Sequence, residues 1–157
     1  MRRVFLLFAA LSVLALYGSE SGWGDTPNKL DPVYQLSVDK YPKFQSEMVL
    51  KNGKKIRFCC VKSMLHFFFS PYRYPEYGVK DSGQIDRMYV KDYLDGSSID
   101  AKKAWYVFGS RLVGPHGDDL IPLSSKTRAE LFVKRYGGTR VMEFGKLSAG
   151  LVRYLDM

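Results

Sequence analysis

A chain of 157 residues is long enough for one packed domain of ordinary size. Its hydrophobic content of 46% and aromatic content of 15% exclude a disordered tail and fit a globule with a sizeable core. The net charge of +8 comes from scattered lysines and arginines, without a dense basic run, a zinc finger or an RNP signature, so nucleic-acid binding is not expected.

Arg2 and Arg3 precede an apolar run over residues 4–16, too short to span a bilayer comfortably. Small residues follow at Gly18, Ser19 and Ser21. Basic, then apolar, then small is the order the export pathway reads, so residues 1–21 are expected to be a signal peptide and the mature chain periplasmic. Cleavage removes Arg2, Arg3 and Glu20 and leaves a charge of +7, which suits an acidic partner. No cysteine precedes Cys59, so a lipid anchor on a lipobox cysteine is not expected. The only cysteines, Cys59 and Cys60, are neighbours, and a bridge between neighbours closes a strained ring, so no disulfide framework is expected.

Residues 22–37 form a polar segment punctuated by Gly and Pro, and Pro42 keeps the chain extended. Residues 46–50 and 54–60 flank Lys51-Asn52-Gly53, which predicts a hairpin. From Val61 to Phe69 the apolar Val61, Met64, Leu65 and Phe68 recur at helical spacing, and Pro71 ends that helix. After a loop rich in Tyr, Pro and Gly over 71–84, residues 85–93 alternate as a strand. Residues 104–109 hold Trp105, Tyr106, Val107 and Phe108 in a row, which suits a strand covered on both faces. Its partner is 120–123. Ser124 or Ser125 can cap a helix through Tyr136, with Ala129, Phe132 and Val133 as its apolar stripe and Gly137-Gly138 as its stop. A strand over 139–144 and a helix over 146–155 close the chain. The order is ββαβ twice, so the predicted fold is α+β: two ββαβ units, about 44–93 and about 100–145, with antiparallel sheets and packed helices.

Two long motifs carry a resemblance. D-A-K-K-A-W-Y-V-F-G-S runs from Asp100 to Ser110, and G-P-H-G-D-D-L-I-P-L from Gly114 to Leu123. They resemble the NosL family of nitrous oxide reductase accessory proteins, whose members read D-A-x-x-A-x-Y-V-x-G-S and G-P-M-G-x-x-L-I-P-F. The resemblance takes in Tyr41-Pro42, Val61-Lys62-Ser63-Met64 and Phe144, and covers about residues 31–145. It implies the same doubled ββαβ fold. It also implies an exported monomer that carries copper(I), performs no catalytic turnover, and meets nitrous oxide reductase or its assembly machinery.

The departures fall on the family's metal positions. NosL proteins commonly bind copper(I) through a Cys-x-x-Cys-Gly-Met-type motif just before a K-Y-P-like sequence. Here Asp31-Pro32-Val33-Tyr34-Gln35-Leu36 stands there, with no soft donor. The methionine of the G-P-M-G loop is His116. That histidine is itself a competent copper ligand, held between Pro115 and Gly117 beside Asp118 and Asp119. Cys59 and Cys60 precede the 61–69 helix, whose N-terminus would lower a thiol pKa and favour thiolate, a good copper(I) ligand. Met64 lies one turn further and His66 two residues beyond. The candidate metal ligands are therefore His116, Cys59, Cys60 and Met64. The same cysteines and methionine equally suit a core. The alternatives to a copper carrier are a metal-free scaffold of NosL fold, or a thiol enzyme of the organomercurial-lyase type using Cys59, Cys60 and an aspartate such as Asp118. Tyr72, Arg73, Tyr74 and Tyr77 are candidates for partner contact; alternatively their rings pack on their own core.

Overall fold

In the computed structural model, which describes residues 28–157, the Asn52-Gly53 pair turns the chain as expected. β1 (Ser46–Leu50) and β2 (Lys55–Phe58) pair antiparallel across it, and Gly53 takes a φ of 83° that a side chain would resist. The signal peptide expected over 1–21 lies outside the described residues.

α1 (Val61–Phe69) follows, with Cys60 as its N-cap. β3 (Ile85–Lys91) then returns antiparallel along the free side of β1. β4 (Ser98–Asp100) was not expected: Ser98-Ile99-Asp100 has no strand pattern of its own, and its pairing with β3 makes it one. The first sheet has the order β2-β1-β3-β4.

The second sheet has the order β6-β5-β7, again antiparallel, built from β5 (Trp105–Phe108), β6 (Ile121–Leu123) and β7 (Arg140–Glu143). α2 (Lys126–Tyr136) starts at Ser125, whose Oγ accepts the Arg128 N–H at 3.2 Å. α3 (Ala149–Tyr154) is shorter than the expected 146–155. Residues 144–146 form a 3-10 turn instead, and Ser148 caps the helix by accepting the Leu151 N–H at 3.2 Å. The chain is thus a mixed α+β protein with two antiparallel sheets, each in a ββαβ order.

β5 is covered on both faces, as its run of large side chains suggested. Tyr106 and Phe108 join the larger core, made by the first sheet, α1, Leu120 and Val152 of α3. Trp105 and Val107 face the smaller core with Ile121, Leu123, Ala129 and Phe132. The buried Tyr106 hydroxyl donates to the Ala101 carbonyl at 2.6 Å.

Asp92, just past β3, ties the two units together. Its buried carboxylate accepts from Arg128 Nε at 2.8 Å, Arg128 Nη2 at 3.0 Å, and the Ser124 and Leu94 N–H groups at 2.9 Å. Burial pushes its pKa up, but these donors hold it below the usual carboxylate range. Among the described residues no helix is long and apolar enough to cross a membrane.

Candidate functional site

The loop over 114–117 is closed by a bond from the Gly114 N–H to the Gly117 carbonyl at 2.7 Å. Gly117 takes a φ of 78°, and a Cβ on Gly114 would lie 2.9 Å from the Cβ of Asp119. The loop needs both glycines to turn this tightly over Asp119. His116 is exposed at its tip.

The His116 ring stacks on Tyr34, with centroids 4.0 Å apart and planes within 9°. Tyr34 belongs to the segment 31–36. Asp31 fixes that segment. One oxygen of its carboxylate accepts the N–H of Val33 at 2.8 Å and of Tyr34 at 2.7 Å. The other accepts the Cys59 N–H at 2.8 Å and the Ser63 hydroxyl at 2.6 Å. Asp31 is fully buried. It pins the segment to the junction of β2 and α1.

Lys62, in the first turn of α1, supplies the second tie. Its buried ammonium donates to the His116 carbonyl at 2.6 Å, the Leu155 carbonyl at 3.1 Å and Asp156 at 2.9 Å. It also lies 5.4 Å over the Tyr34 ring. Asp156 accepts the Tyr34 hydroxyl at 2.8 Å and pairs with His66 Nε2 at 2.6 Å. Burial works against its charge, but the bonds from Lys62 and Tyr34 outweigh it and hold the carboxyl below its usual range. Burial, with the Asp156 bond second, pushes the Tyr34 phenol up, so Tyr34 stays a neutral donor. His66 meets the Tyr34 ring edge-on at 6.1 Å. Beside this cluster opens a cleft of about 380 Å³ lined by His116, Gly117, Asp118, Leu155, Asp156 and Met157.

Two imidazoles therefore flank one phenol. Imidazole is a donor suited to copper. Among the described residues, however, no group of three or more His, Cys, Asp or Glu side chains is placed to hold a metal ion.

The structure does not bring His116, Cys59, Cys60 and Met64 to one face. Cys59, Cys60 and Met64 each have 0% of their surface exposed, whereas His116 stands in solvent. The expected thiolate at the start of α1 is also corrected. Burial pushes the Cys60 thiol well up, its bond with Cys59 and the Asp119 charge add to this, and the Ser63 N–H at 3.4 Å offsets little. Desolvation outweighs the helix terminus. The lyase-type reading needs a thiol that a substrate can reach, and neither cysteine offers one.

Asp119 is buried beneath the loop. One oxygen accepts the N–H of Lys62 at 2.9 Å and of Leu120 at 2.7 Å. The other lacks a partner of ordinary geometry, and the Cys60 thiol is its neighbouring donor. Burial lifts the carboxyl from 3.8 to about 6. A folded pKa above the unfolded one favours folding fully below about 3.8, and that contribution is lost as pH rises through about 6. The loss is on the order of 3 kcal/mol. Asp119→Asn keeps an acceptor for both N–H groups and carries no charge. In urea melts at pH 4 and pH 7.5, its stability relative to wild type is expected to improve toward the higher pH by up to about 3 kcal/mol. A pH-independent difference would contradict the burial cost.

The aromatic loop divides. Tyr72 and Arg73 are exposed. Tyr74 stacks on Phe67 at 5.2 Å, and Tyr77 meets the same ring edge-on at 5.6 Å with Lys54 over its other face. The rings of Tyr74 and Tyr77 therefore pack against the core.

Tyr34, Lys62 and Asp156 were not read as site residues from the sequence. Lys62 left one signal, a charge between Val61 and the apolar Met64 and Leu65. Asp31 left another: Asp-Pro starts turns, and an Asp side chain bonds backbone N–H groups just after it. Nothing local points to Asp156.

The NosL family profile matches residues 26–152. The copper-binding lipoprotein NosL of Stutzerimonas stutzeri is 28% identical over 126 residues, 75% of this chain and 61% of the relative. The chain thus spans about three-fifths of that relative's length. The crystal structure of the copper chaperone NosL from Shewanella denitrificans is similar in fold, with a TM-score of 0.66 and 24% identity over 80% of this chain and 93% of the other. The solution structure of apo-NosL from Achromobacter cycloclastes matches 68% of this chain and 87% of its own, at a TM-score of 0.48 and 24% identity. These relatives bear the names of copper-binding proteins and copper chaperones, not of enzymes, in agreement with the expected lack of turnover. With the profile matched over most of the length and the doubled ββαβ order in place, the chain belongs to the NosL family.

Proposed function

We propose that this chain is an exported, periplasmic accessory protein of nitrous oxide reductase maturation. It binds copper(I) as cargo and passes it to the enzyme's copper centre. One observation carries the reading. The segment 31–36, which the resemblance sets against the family's copper motif, lies against the His116 loop, with the Tyr34 and His116 rings stacked at 4.0 Å. His116 is the group that takes the ion, at a site open enough for a partner's ligands to displace it. Tyr34 and Lys62 hold His116 in place, and Tyr72 and Arg73 offer a surface for the partner.

A second reading has its own support. Asp31 already accepts four hydrogen bonds, and no group of three His, Cys, Asp or Glu side chains is set to hold a metal among the described residues. A metal-free scaffold in the same assembly pathway would look like this.

An anaerobic copper(I) titration of the reduced protein against a competing chelator separates the two. Wild type is expected to bind one ion per chain. His116→Ala is expected to weaken binding on the order of 10- to 100-fold, and Cys59→Ser/Cys60→Ser to leave it unchanged provided the variant stays folded. A wild type that never competes with the chelator would end the carrier reading and leave the scaffold.

A further inference from the structure

The donor set at His116 lacks a soft partner within the segment 31–36. The cleft beside His116 contains one that the sequence motifs did not indicate. Met48, Met64 and Met88 are buried at 0%, 0% and 1% exposure, while Met157 is exposed at 101% and lines the same cleft as His116. One buried cation sets the two walls of that cleft. The Lys62 ammonium bonds the carbonyl of His116 itself at 2.6 Å and the carbonyl of Leu155, two residues before Met157, at 3.1 Å. A third bond, to Asp156 at 2.9 Å, holds the residue between them. The imidazole side is fixed further by its stack on Tyr34. The thioether side is anchored at its backbone and free at its side chain.

We infer that Met157 provides a thioether donor in the cleft it shares with His116, so that this cleft is a soft-metal site selective for copper(I). The inference rests on the copper-carrier reading and names the donor that reading lacks. A thioether is neutral and soft, and soft sulfur ligands select copper(I), while imidazole accepts copper readily. A d¹⁰ ion imposes no strong geometry and tolerates few ligands, so one imidazole and one thioether suffice to capture it. Asp118 and Asp156 also line the cleft, the charge of Asp156 being met by Lys62. They are hard oxygen donors and do not favour a soft ion over a hard one. An exposed thioether also suits cargo that must be released. It can leave the metal as an incoming ligand arrives, without disturbing His116.

The test uses the reduced protein labelled with ¹³C at the methionine methyl groups, titrated anaerobically with copper(I). Met157→Leu assigns the Met157 signal and keeps the bulk of the side chain. The expected result is a shift of the Met157 methyl that saturates at one ion per chain, with the buried methionines unmoved. X-ray absorption is expected to show a sulfur neighbour of copper that disappears in Met157→Leu and persists in Cys59→Ser/Cys60→Ser. Affinity in Met157→Leu is expected to fall at least about tenfold. Copper bound with the Met157 signal unmoved and the sulfur neighbour retained in Met157→Leu would overturn this inference and leave the carrier reading intact. No binding by wild type would overturn both.

Discussion

Asp31→Ala is expected to destabilise the protein by about 3–5 kcal/mol, measured as a drop in the urea midpoint without a change in slope. The carboxylate accepts four hydrogen bonds, from Val33, Tyr34, Cys59 and Ser63, at 2.6–2.8 Å and with no exposed surface. Alanine leaves three backbone N–H groups and a hydroxyl in a place water does not reach. Each buried orphan costs about 1–3 kcal/mol, and the costs do not simply add. Asp31→Asn is the finer test. Its amide must present an NH₂ where two donors already point. The Ser63 hydroxyl can rotate to accept, but the Cys59 N–H cannot. A loss of about 1–3 kcal/mol is expected, smaller than for alanine. Equal stability of all three proteins would mean that the 31–36 segment contributes nothing to folding. The consequence reaches the site, because Asp31 positions Tyr34 and Tyr34 carries the stack on His116.

The other large effect is expected at Lys62. Lys62→Leu keeps an apolar stem and adds no thioether near His116. It removes an ammonium that holds two carbonyls and the Asp156 carboxylate. Breaking a buried charged contact by removing one partner costs about 3–5 kcal/mol. Asp156 has a side-chain exposure of 31% and keeps Tyr34 and His66, so the lower end applies, about 3 kcal/mol. Adding Asp156→Asn to Lys62→Leu is expected to recover part of the loss, since the carboxylate then has no charge to leave unpaired. A thermal melt on the four proteins of this cycle gives the coupling. Purely additive losses would show that the Asp156 pair contributes nothing and that Lys62 acts through its two carbonyl bonds and its packing. The His116 ring signals offer an independent check. Loss of the Lys62 bond to the His116 carbonyl is expected to loosen the loop and weaken the ring-current shift from Tyr34.

Both effects arise from pairs far apart in the chain, and this sets what a sequence reading reaches. The turn at Asn52-Gly53, the start of α2 at Ser124 or Ser125, the helical stripe of α1 and the doubly covered β5 are local patterns. Backbone preference and side-chain period act within a few residues, so they were legible. β4 was missed because Ser98-Ile99-Asp100 becomes a strand only through β3. The thiolate expectation failed for a related reason. Helix position is read from sequence, but desolvation of Cys60 depends on what packs over it, and packing won.

The sequence by itself determined the order of elements, the family motifs, the loss of cysteine and methionine from residues 31–36, and the presentation of His116 on a glycine-bounded loop. Only the tertiary structure decided that the altered segment is not idle. It decided that Asp31 reaches across to Cys59 and Ser63, that Tyr34 lies on His116, that Lys62 joins the loop to the Leu155 carbonyl, and that Met157 shares the cleft. The physical reason is that these are single hydrogen bonds and ring contacts between groups separated by 28 to 93 positions, each worth about 0.5–3 kcal/mol. Such a contact leaves no periodicity along the chain. It exists because two sheets, independently specified, bring their loops and helix ends to the same place.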